Sequence, residues 1–450
     1  MSAPDLRTIG EVAALMRSGA VSPTELIESC LAQIQLRQPS VNAFTTVLEN
    51  SARDDARKAH AEIGAGRWRG PLHGIPIAVK DLIDVQGTRT TSGSALPSIE
   101  ASTDALVVRR LREAGAIVIG KTNLHEFAYG TTSEETAFGP VRNPLDETRS
   151  AGGSSGGSAA ALAAGMCFGA IGTDTGGSIR IPSAACGTVG LKPTAGEIPT
   201  DGIVPLSTTF DSVGPMTRSV ADAGILYQVM KGVQPTGLPH APRRMVIGVP
   251  GPYFCDRVDA DVATAMGRAR EALHHGGHET IDVEIEHAAW TPSVYLHVML
   301  PEASWYHAPL LERHASSYSP GVRLRLEMGR YVLAEDYLRA LDLREALRLR
   351  VDRALDGCDA LLLPTLPMAA PTLGATTVEI AGQEEPVRAA MLRLTQIFNV
   401  TGHPAIAIPA GRGRDRMPRG VQVVGPRGAT ERLLALGVAV ENLLRGLTRA

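Results

Sequence analysis

This chain is short of the residues from which several specialised protein classes are built. It has five cysteines in 450 residues, at Cys30, Cys167, Cys186, Cys255 and Cys358. An odd number, scattered over the whole length, argues for free thiols in a reducing cytoplasm and against a disulfide scaffold. Neither sign of charge is in excess. The formal net charge of −3 offers no basic face to a nucleic acid or to an anionic membrane surface. No stretch approaches the roughly 20 strongly apolar residues of a membrane span. The first residues, MSAPDLRTIGEV, lack the basic start and apolar core of a signal peptide. Aromatic residues make up only 4%, and many of them fall between Thr291 and Arg353. Internal repeats and low-complexity tails are missing as well. Zinc-type ligand spacing is also lacking. His274, His275, His278 and His287 crowd one region, but HHGGH has no cysteine partner, and its Gly-Gly reads as a helix terminus. The remaining composition, 44% hydrophobic and 20% charged, is that of an ordinary globule with a large core.

What is present is concentrated between Ser150 and Thr194. The run reads SAGGSSGGSAAALAAGMCFGAIGTDTGGSIRIPSAACGTVGLKPT, with no charged side chain between Arg149 and Asp174. Ser154 stands inside GGSSGG and Ser178 inside DTGGSIRIP. Each follows glycines, which permit unusual backbone conformations and close approach of a ligand to the main chain. A run of small residues with free N–H groups can hold an oxyanion. A flexible Gly/Ser linker is a poor account of the stretch. AAALAAGMCFGAIG is apolar enough for a core, and SIRIPSAACGTVGLKP alternates as a buried strand and turn would. Upstream, the β-type run IPIAV ends at Lys80, which puts this lysine at the mouth of a strand.

Three blocks, GIPIAVKDLIDVQG, GGSSGGSAAALAAG and GTDTGGSIRIPSAACGTVGLKPT, closely resemble the amidase signature family in order and spacing. The resemblance runs from about Ile9 to the Leu433 region. It implies a catalytic set of Ser178 as nucleophile, Ser154 on a cis peptide as proton carrier, and Lys80 as base. Serine is a weak nucleophile without a base, and lysine serves as one only when burial or a nearby positive charge keeps it neutral. The resemblance further implies an oxyanion hole from the N–H groups of Thr175, Gly176, Gly177 and Ser178, with Ser155, Asp174 and Arg180 in supporting positions. The implied enzyme is a metal-free, cofactor-free serine amidohydrolase, a cytoplasmic monomer or homodimer with neither nucleic acid nor membrane as partner. It cleaves C–N acyl bonds through an acyl-enzyme, and the family's range extends from amides and anilides to carbamates (urethanes).

Three other motifs compete with this one. Gly152, Ser154 and Gly156 satisfy G-x-S-x-G, the nucleophile elbow of α/β-hydrolases, and His403 is available downstream. That reading leaves DTGGSIRIP unexplained. GAIVIGKT, Gly115 to Thr122, satisfies the phosphate-loop expression G-x-x-x-x-G-K-T. There the intervening Ala-Ile-Val-Ile is itself β-rich, whereas a phosphate loop must follow the strand. Cys167 and Cys186 lack a matched histidine and read as buried thiols.

Length alone suggests two or three domains. The resemblance replaces that with one large α/β domain over residues 1–450, a central twisted mixed sheet flanked by helices on both faces. Its signature core spans about 65–215, and a more variable helical region spans about 290–355. Capping boxes at Thr8/Glu11 and Ser22/Glu25 predict helices near 8–18 and 23–36. Further helices are expected near 51–64, 103–114, 219–230, 258–276 and 430–445. Strands are expected at 116–119, 245–249, 279–285, 360–364, 405–409 and 421–424, with a loop and a helix between 364 and 405. The alternation of helix and strand argues for a layered sheet.

For the substrate, Phe127, Tyr129, Gly130 and Phe210 lie beside signature blocks and suggest a hydrophobic pocket. The arginines of 290–345 sit at helical spacing and read as a solvated face. A small, neutral, partly aromatic amide or carbamate is the favoured substrate. The alternative within the same fold is the glutaminase subunit of a tRNA-dependent amidotransferase, which uses charged groups to hold both ends of glutamine. A non-catalytic scaffold is disfavoured by the intact Lys80, Ser154 and Ser178.

Overall fold

The apolar runs of both halves of the chain come together in one sheet. A computed structural model describes residues 6–448 and shows eleven strands side by side. In spatial order they are Phe44–Val47, Ile117–Thr122, Pro76–Lys80, Gly169–Asp174, Ser212–Thr217, Val189–Lys192, Ala405–Arg412, Pro418–Val424, Ala360–Pro364, Val246–Pro250 and Glu279–Val283. Pro76–Lys80 pairs parallel with both its neighbours. Gly169–Asp174 pairs antiparallel with Ser212–Thr217, so the sheet is mixed. Its central strands are buried along their whole length, as expected when both faces are covered by helices. The helix Gly156–Ala163 packs on Gly169–Asp174, and Thr430–Thr448 packs on Ala405–Arg412. This is the layered single domain expected from the sequence.

Local chemistry sets most element ends. Thr8 and Ser22 each accept a hydrogen bond from the backbone of Glu11 and Glu25, and both capping boxes are complete. The second helix runs on to Val41, past Pro39, and stops where Asn42 adopts a left-handed conformation. Three strands of the large sheet are not legible in the sequence: Phe44–Val47, Gly169–Asp174 inside the uncharged run, and Ser212–Thr217, whose Gly and Pro mask it.

Two expectations are corrected. The segment after Ser178 is a short helix, Arg180–Cys186, followed by the strand Val189–Lys192, rather than a strand and turn. The Asp174 carboxylate accepts from the N–H groups of Ile179 and Arg180 at 3.1 and 3.4 Å. It thereby caps the first turn, a partner the alternation of Ile and Arg does not reveal. Between 364 and 405 the chain first forms a hairpin, Thr377–Ile380 with Gln383–Pro386, and then the helices Val387–Leu392 and Ile397–Val400.

The region after Thr291 is helical as anticipated: Thr291–His314, Pro320–Met328 and Ala334–Leu355. It presents Trp305, Tyr331 and Leu338 to solvent. Among the described residues no helix is long and apolar enough to cross a membrane.

Candidate active site

Lys80 is the last residue of the strand Pro76–Lys80 and is completely buried. Its Nζ donates to Ser154 Oγ at 2.8 Å and to Thr173 Oγ1 at 2.8 Å. No carboxylate is in contact with it among the described residues. Burial pushes the ammonium down to about 7, against the opposing pull of Asp211 and Asp174. A group poised near neutrality suits proton transfer.

Ser154 follows a cis peptide bond, Gly153–Ser154. Its carbonyl accepts from the His125 N–H and the Ser133 hydroxyl, both at 3.2 Å. Ser178 is almost buried, at 6% exposure, and its Oγ makes no hydrogen bond among the described residues. The two serine segments are tied through the main chain, where the Ser155 N–H donates to the Ser178 carbonyl at 3.1 Å. The Ser155 hydroxyl donates to the Thr173 carbonyl at 3.2 Å.

Asp174 and Arg180 form a fully buried bidentate pair, Nε and Nη2 donating at 3.1 and 3.0 Å. Burial alone would raise the carboxyl, but Arg180 and Asn399 outweigh it and hold it at about 2. Arg180 also donates to Gln422 Oε1 at 3.0 Å and Asn399 Oδ1 at 2.7 Å. Asn399 donates to the Asp174 carbonyl at 2.8 Å. A charge pair this deep is tolerable only when its remaining donors and acceptors are satisfied, as they are here.

Between Asp174 and Ser178 the chain turns sharply. The N–H groups of Thr175, Gly176, Gly177 and Ser178 donate to no other group among the described residues. Gly177 has φ +140°, and a Cβ there would collide with Thr395 Oγ1, so only glycine fits. Thr395 in turn donates to the Gly176 carbonyl at 2.6 Å, which fixes the orientation of that peptide. Four consecutive N–H groups without a partner among the described residues, the last belonging to Ser178 itself, are donors of the kind that can hold an oxyanion.

The four candidate pocket residues are divided. Phe210 stacks on Tyr295, with centroids 5.6 Å apart. Tyr295 approaches the donor array so closely that a Cβ on Gly176 would lie 2.8 Å from its hydroxyl. Tyr129 is buried, and its hydroxyl has no partner among the described residues. Gly130 is needed for room, since a Cβ there would fall on the His125 ring. Phe127 packs on His307 and Tyr318 at 4.5 and 5.4 Å and lines a separate cavity with Val204, Tyr306 and Leu310. Among the arginines of 290–345, Arg325 departs from a solvated face, and Arg388, outside that segment, lies near it. Arg325 lies 5.2 Å over the Tyr129 ring and pairs with Glu135. Arg388 lies 5.5 Å over the same ring, donates to the Tyr129 carbonyl at 3.3 Å and has no acidic partner among the described residues.

The competing motifs are taken up structurally. His403 bonds to Thr401 and Asp352, each at 2.9 Å, and to neither serine. Lys121 of GAIVIGKT lies in the strand Ile117–Thr122 and pairs with Asp81 at 2.9 Å. His274 bonds to Thr280, His278 accepts from Met245, and His287 stacks on Trp290. Cys167 and Cys186 are buried, and burial pushes both thiols up. Sequence reasoning missed Thr173, Asp211, Tyr295, Thr395, Asn399 and Gln422. Thr173 stands inside a motif block and could have been flagged. The others arrive from distant segments with no spacing to mark them.

The amidase family model matches residues 25–434. The chain is 39% identical over 431 residues to an amidase of Pseudomonas putida, covering 92% of this chain and 91% of that protein. It is 33% identical to a glutamyl-tRNA(Gln) amidotransferase subunit from Desulfatibacillum aliphaticivorans, covering 96% of each. A crystal structure of an amidase superposes with a TM-score of 0.92 at 40% identity, covering 97% of this chain and 100% of the other.

Proposed function

Because this chain belongs to the amidase family, we propose that it is a serine amidohydrolase in which Ser178 is the nucleophile, Ser154 the proton carrier and Lys80 the base. The observation that carries this reading is the contact of a wholly buried lysine with the Ser154 hydroxyl at 2.8 Å. Ser178 Oγ attacks the carbonyl carbon while its proton passes to Ser154 and the Ser154 proton passes to neutral Lys80. The charge that develops on the carbonyl oxygen is held by the N–H groups of Thr175, Gly176, Gly177 and Ser178. Collapse of the intermediate breaks the C–N bond. The leaving nitrogen takes a proton from Ser154, which Lys80 replenishes. Water then repeats the relay on the acyl-enzyme and releases the acid. Ser178 Oγ must swing onto Ser154 for the first transfer, and contacts of this kind tighten when substrate binds. Asp174 and Arg180 act through the backbone, fixing the first turn after Ser178.

The stacked Phe210 and Tyr295, with Leu392 close to Gly176, support a neutral, partly aromatic acyl group. Amides, anilides and carbamates are therefore the substrate class, with esters as a side activity. A second reading, the glutaminase subunit of an amidotransferase, is favoured by one observation: Arg388 beside Tyr129 has no acidic partner among the described residues and is a cation able to hold a carboxylate. Rates on aryl amides and carbamates against free glutamine discriminate the two. Glutamine as the best substrate, and only with a partner protein present, would establish the second.

The nucleophile is tested by covalent labelling. A serine-reactive acylating inhibitor should modify Ser178, and Ser178→Ala should lose both label and activity. A label on Ser154 with Ser178→Ala still active would overturn the assignment.

A further inference from the structure

Asp211 is the residue just before the strand Ser212–Thr217. Asp174 is the register partner of Ser212, so continuing the pairing by one residue brings Asp211 opposite Thr175. The Thr175 hydroxyl donates to Asp211 Oδ1 at 2.6 Å. The other oxygen accepts from the N–H groups of Leu206 and Ser207 at 2.9 and 3.2 Å. Ser207 also donates from its hydroxyl to Glu302 of the helix Thr291–His314 at 2.5 Å, and the Thr209 N–H donates to the same carboxylate at 3.1 Å. Tyr337 of the helix Ala334–Leu355 donates to Glu302 at 3.0 Å. A continuous chain of hydrogen bonds thus runs from the helical region through the 206–211 turn to Thr175.

We propose that Asp211 is a positioning residue that clamps Thr175 at the head of the donor array and stabilises the Lys80 ammonium formed when the base takes up its proton. The inference rests on the Lys80 base proposed above. Asp211 touches neither substrate nor serine and acts through Thr175 and through its charge. Its electrostatic neighbours are Lys80 from the strand Pro76–Lys80 and Tyr295 from the helix, both of which also feel Asp174. Glu302 lies one hydrogen bond further out, and Arg344 sits 5.6 Å over the neighbouring Phe210 ring. Burial raises the Asp211 carboxyl to about 6, against its hydrogen bonds and Lys80. The ionised carboxylate in turn favours protonated Lys80.

The experiment is a pH profile of kcat and kcat/KM for wild type, Asp211→Asn, Thr175→Val and Thr175→Ser, on a p-nitroanilide that the wild type hydrolyses. Removing the carboxylate charge makes Lys80 easier to deprotonate. The acid limb of Asp211→Asn should therefore move to lower pH, while kcat falls roughly ten- to a hundredfold with little change in KM, a loss at or below that for deleting an oxyanion donor. Thr175→Val should lose kcat without moving the limb, and Thr175→Ser, which keeps the hydroxyl that donates to Asp211, should recover most of that loss. If Asp211→Asn does not fold, the Thr175 pair still tests the clamp, and equal activity of its two members would overturn it. A limb unmoved in Asp211→Asn would overturn the electrostatic role, whatever happens to kcat. Failure of the underlying Lys80 reading looks different: the wild type itself would show no acid limb.

Discussion

The strands Pro76–Lys80 and Ile117–Thr122 lie side by side, parallel, and each carries a completely buried lysine near its end. Val79 is the register partner of Lys121, so Lys80 leaves the sheet on the opposite face. On its face Lys121 meets the Asp81 carboxylate at 2.9 Å, with Thr90 at 3.2 Å beside it. On the other face Lys80 meets two hydroxyls, Ser154 and Thr173, and no carboxylate in contact among the described residues. Residue type, depth and strand are matched, and only the neighbour differs. An adjacent carboxylate keeps a buried ammonium charged, whereas hydroxyls leave the cost of burial unopposed at close range. Lys121 is held in an ion pair with Asp81, whereas Lys80 is a group that burial pushes to about 7, the range suited to proton transfer.

The largest effect is expected at Lys80 itself. Lys80→Ala should lower amide hydrolysis by about a thousandfold or more, the upper range for general acid–base groups, with the fold retained. The opposite pattern is expected at the other lysine. Asp81→Asn leaves Lys121 buried without its counter-charge, which costs on the order of 3–5 kcal/mol, read as a lower denaturation midpoint. The folded fraction should still acylate at Ser178. If Asp81→Asn abolished acylation at unchanged stability, the division of labour between the two faces would be wrong.

A smaller effect separates the two lysines through pH. Lys80 has its proton affinity lowered by folding, so the unfolded chain binds the proton more tightly. Its contribution to stability is therefore least at and below pH 7 and is recovered as pH rises toward the ordinary lysine range. The melting temperature of wild type relative to Lys80→Met should thus climb between about pH 7 and 10. Lys192, which burial also pushes down to about 7, is present in both proteins and cancels in the difference. A pH-independent difference would mean that Lys80 is charged in the folded protein.

Lys80, Ser154 and Ser178 stand out in the sequence because three separated blocks together resemble the amidase signature in order and spacing. Their surroundings do not. Asn399 and Gln422 complete the Asp174–Arg180 network from segments more than two hundred residues away, and an isolated amide carries no spacing signal. Asp211 looks like any turn aspartate until the register of two antiparallel strands brings it opposite Thr175. The helix Arg180–Cys186 reads as a strand because its residues alternate and its cap, Asp174, belongs to the preceding strand. Phe127 has φ +50°, and its ring packs on His307 and Tyr318, contacts that its position beside a motif does not reveal. Tyr295 of the helix Thr291–His314 reaches Phe210 and Gly176 from a segment that no motif marks.

The central claim is that Lys80 moves protons and does not merely supply charge. The most direct test is a pH–rate profile of wild type and Lys80→Arg on a matched aryl amide and activated ester. Arginine keeps the positive charge but cannot release its proton. In the wild type, kcat/KM on the amide should rise with pH through an apparent value of about 7, belonging to the Ser178–Ser154–Lys80 unit as a whole. Lys80→Arg should lose amide hydrolysis throughout, and lose less on the ester, whose phenolate needs no returned proton. Near-normal amide hydrolysis by Lys80→Arg would contradict the account.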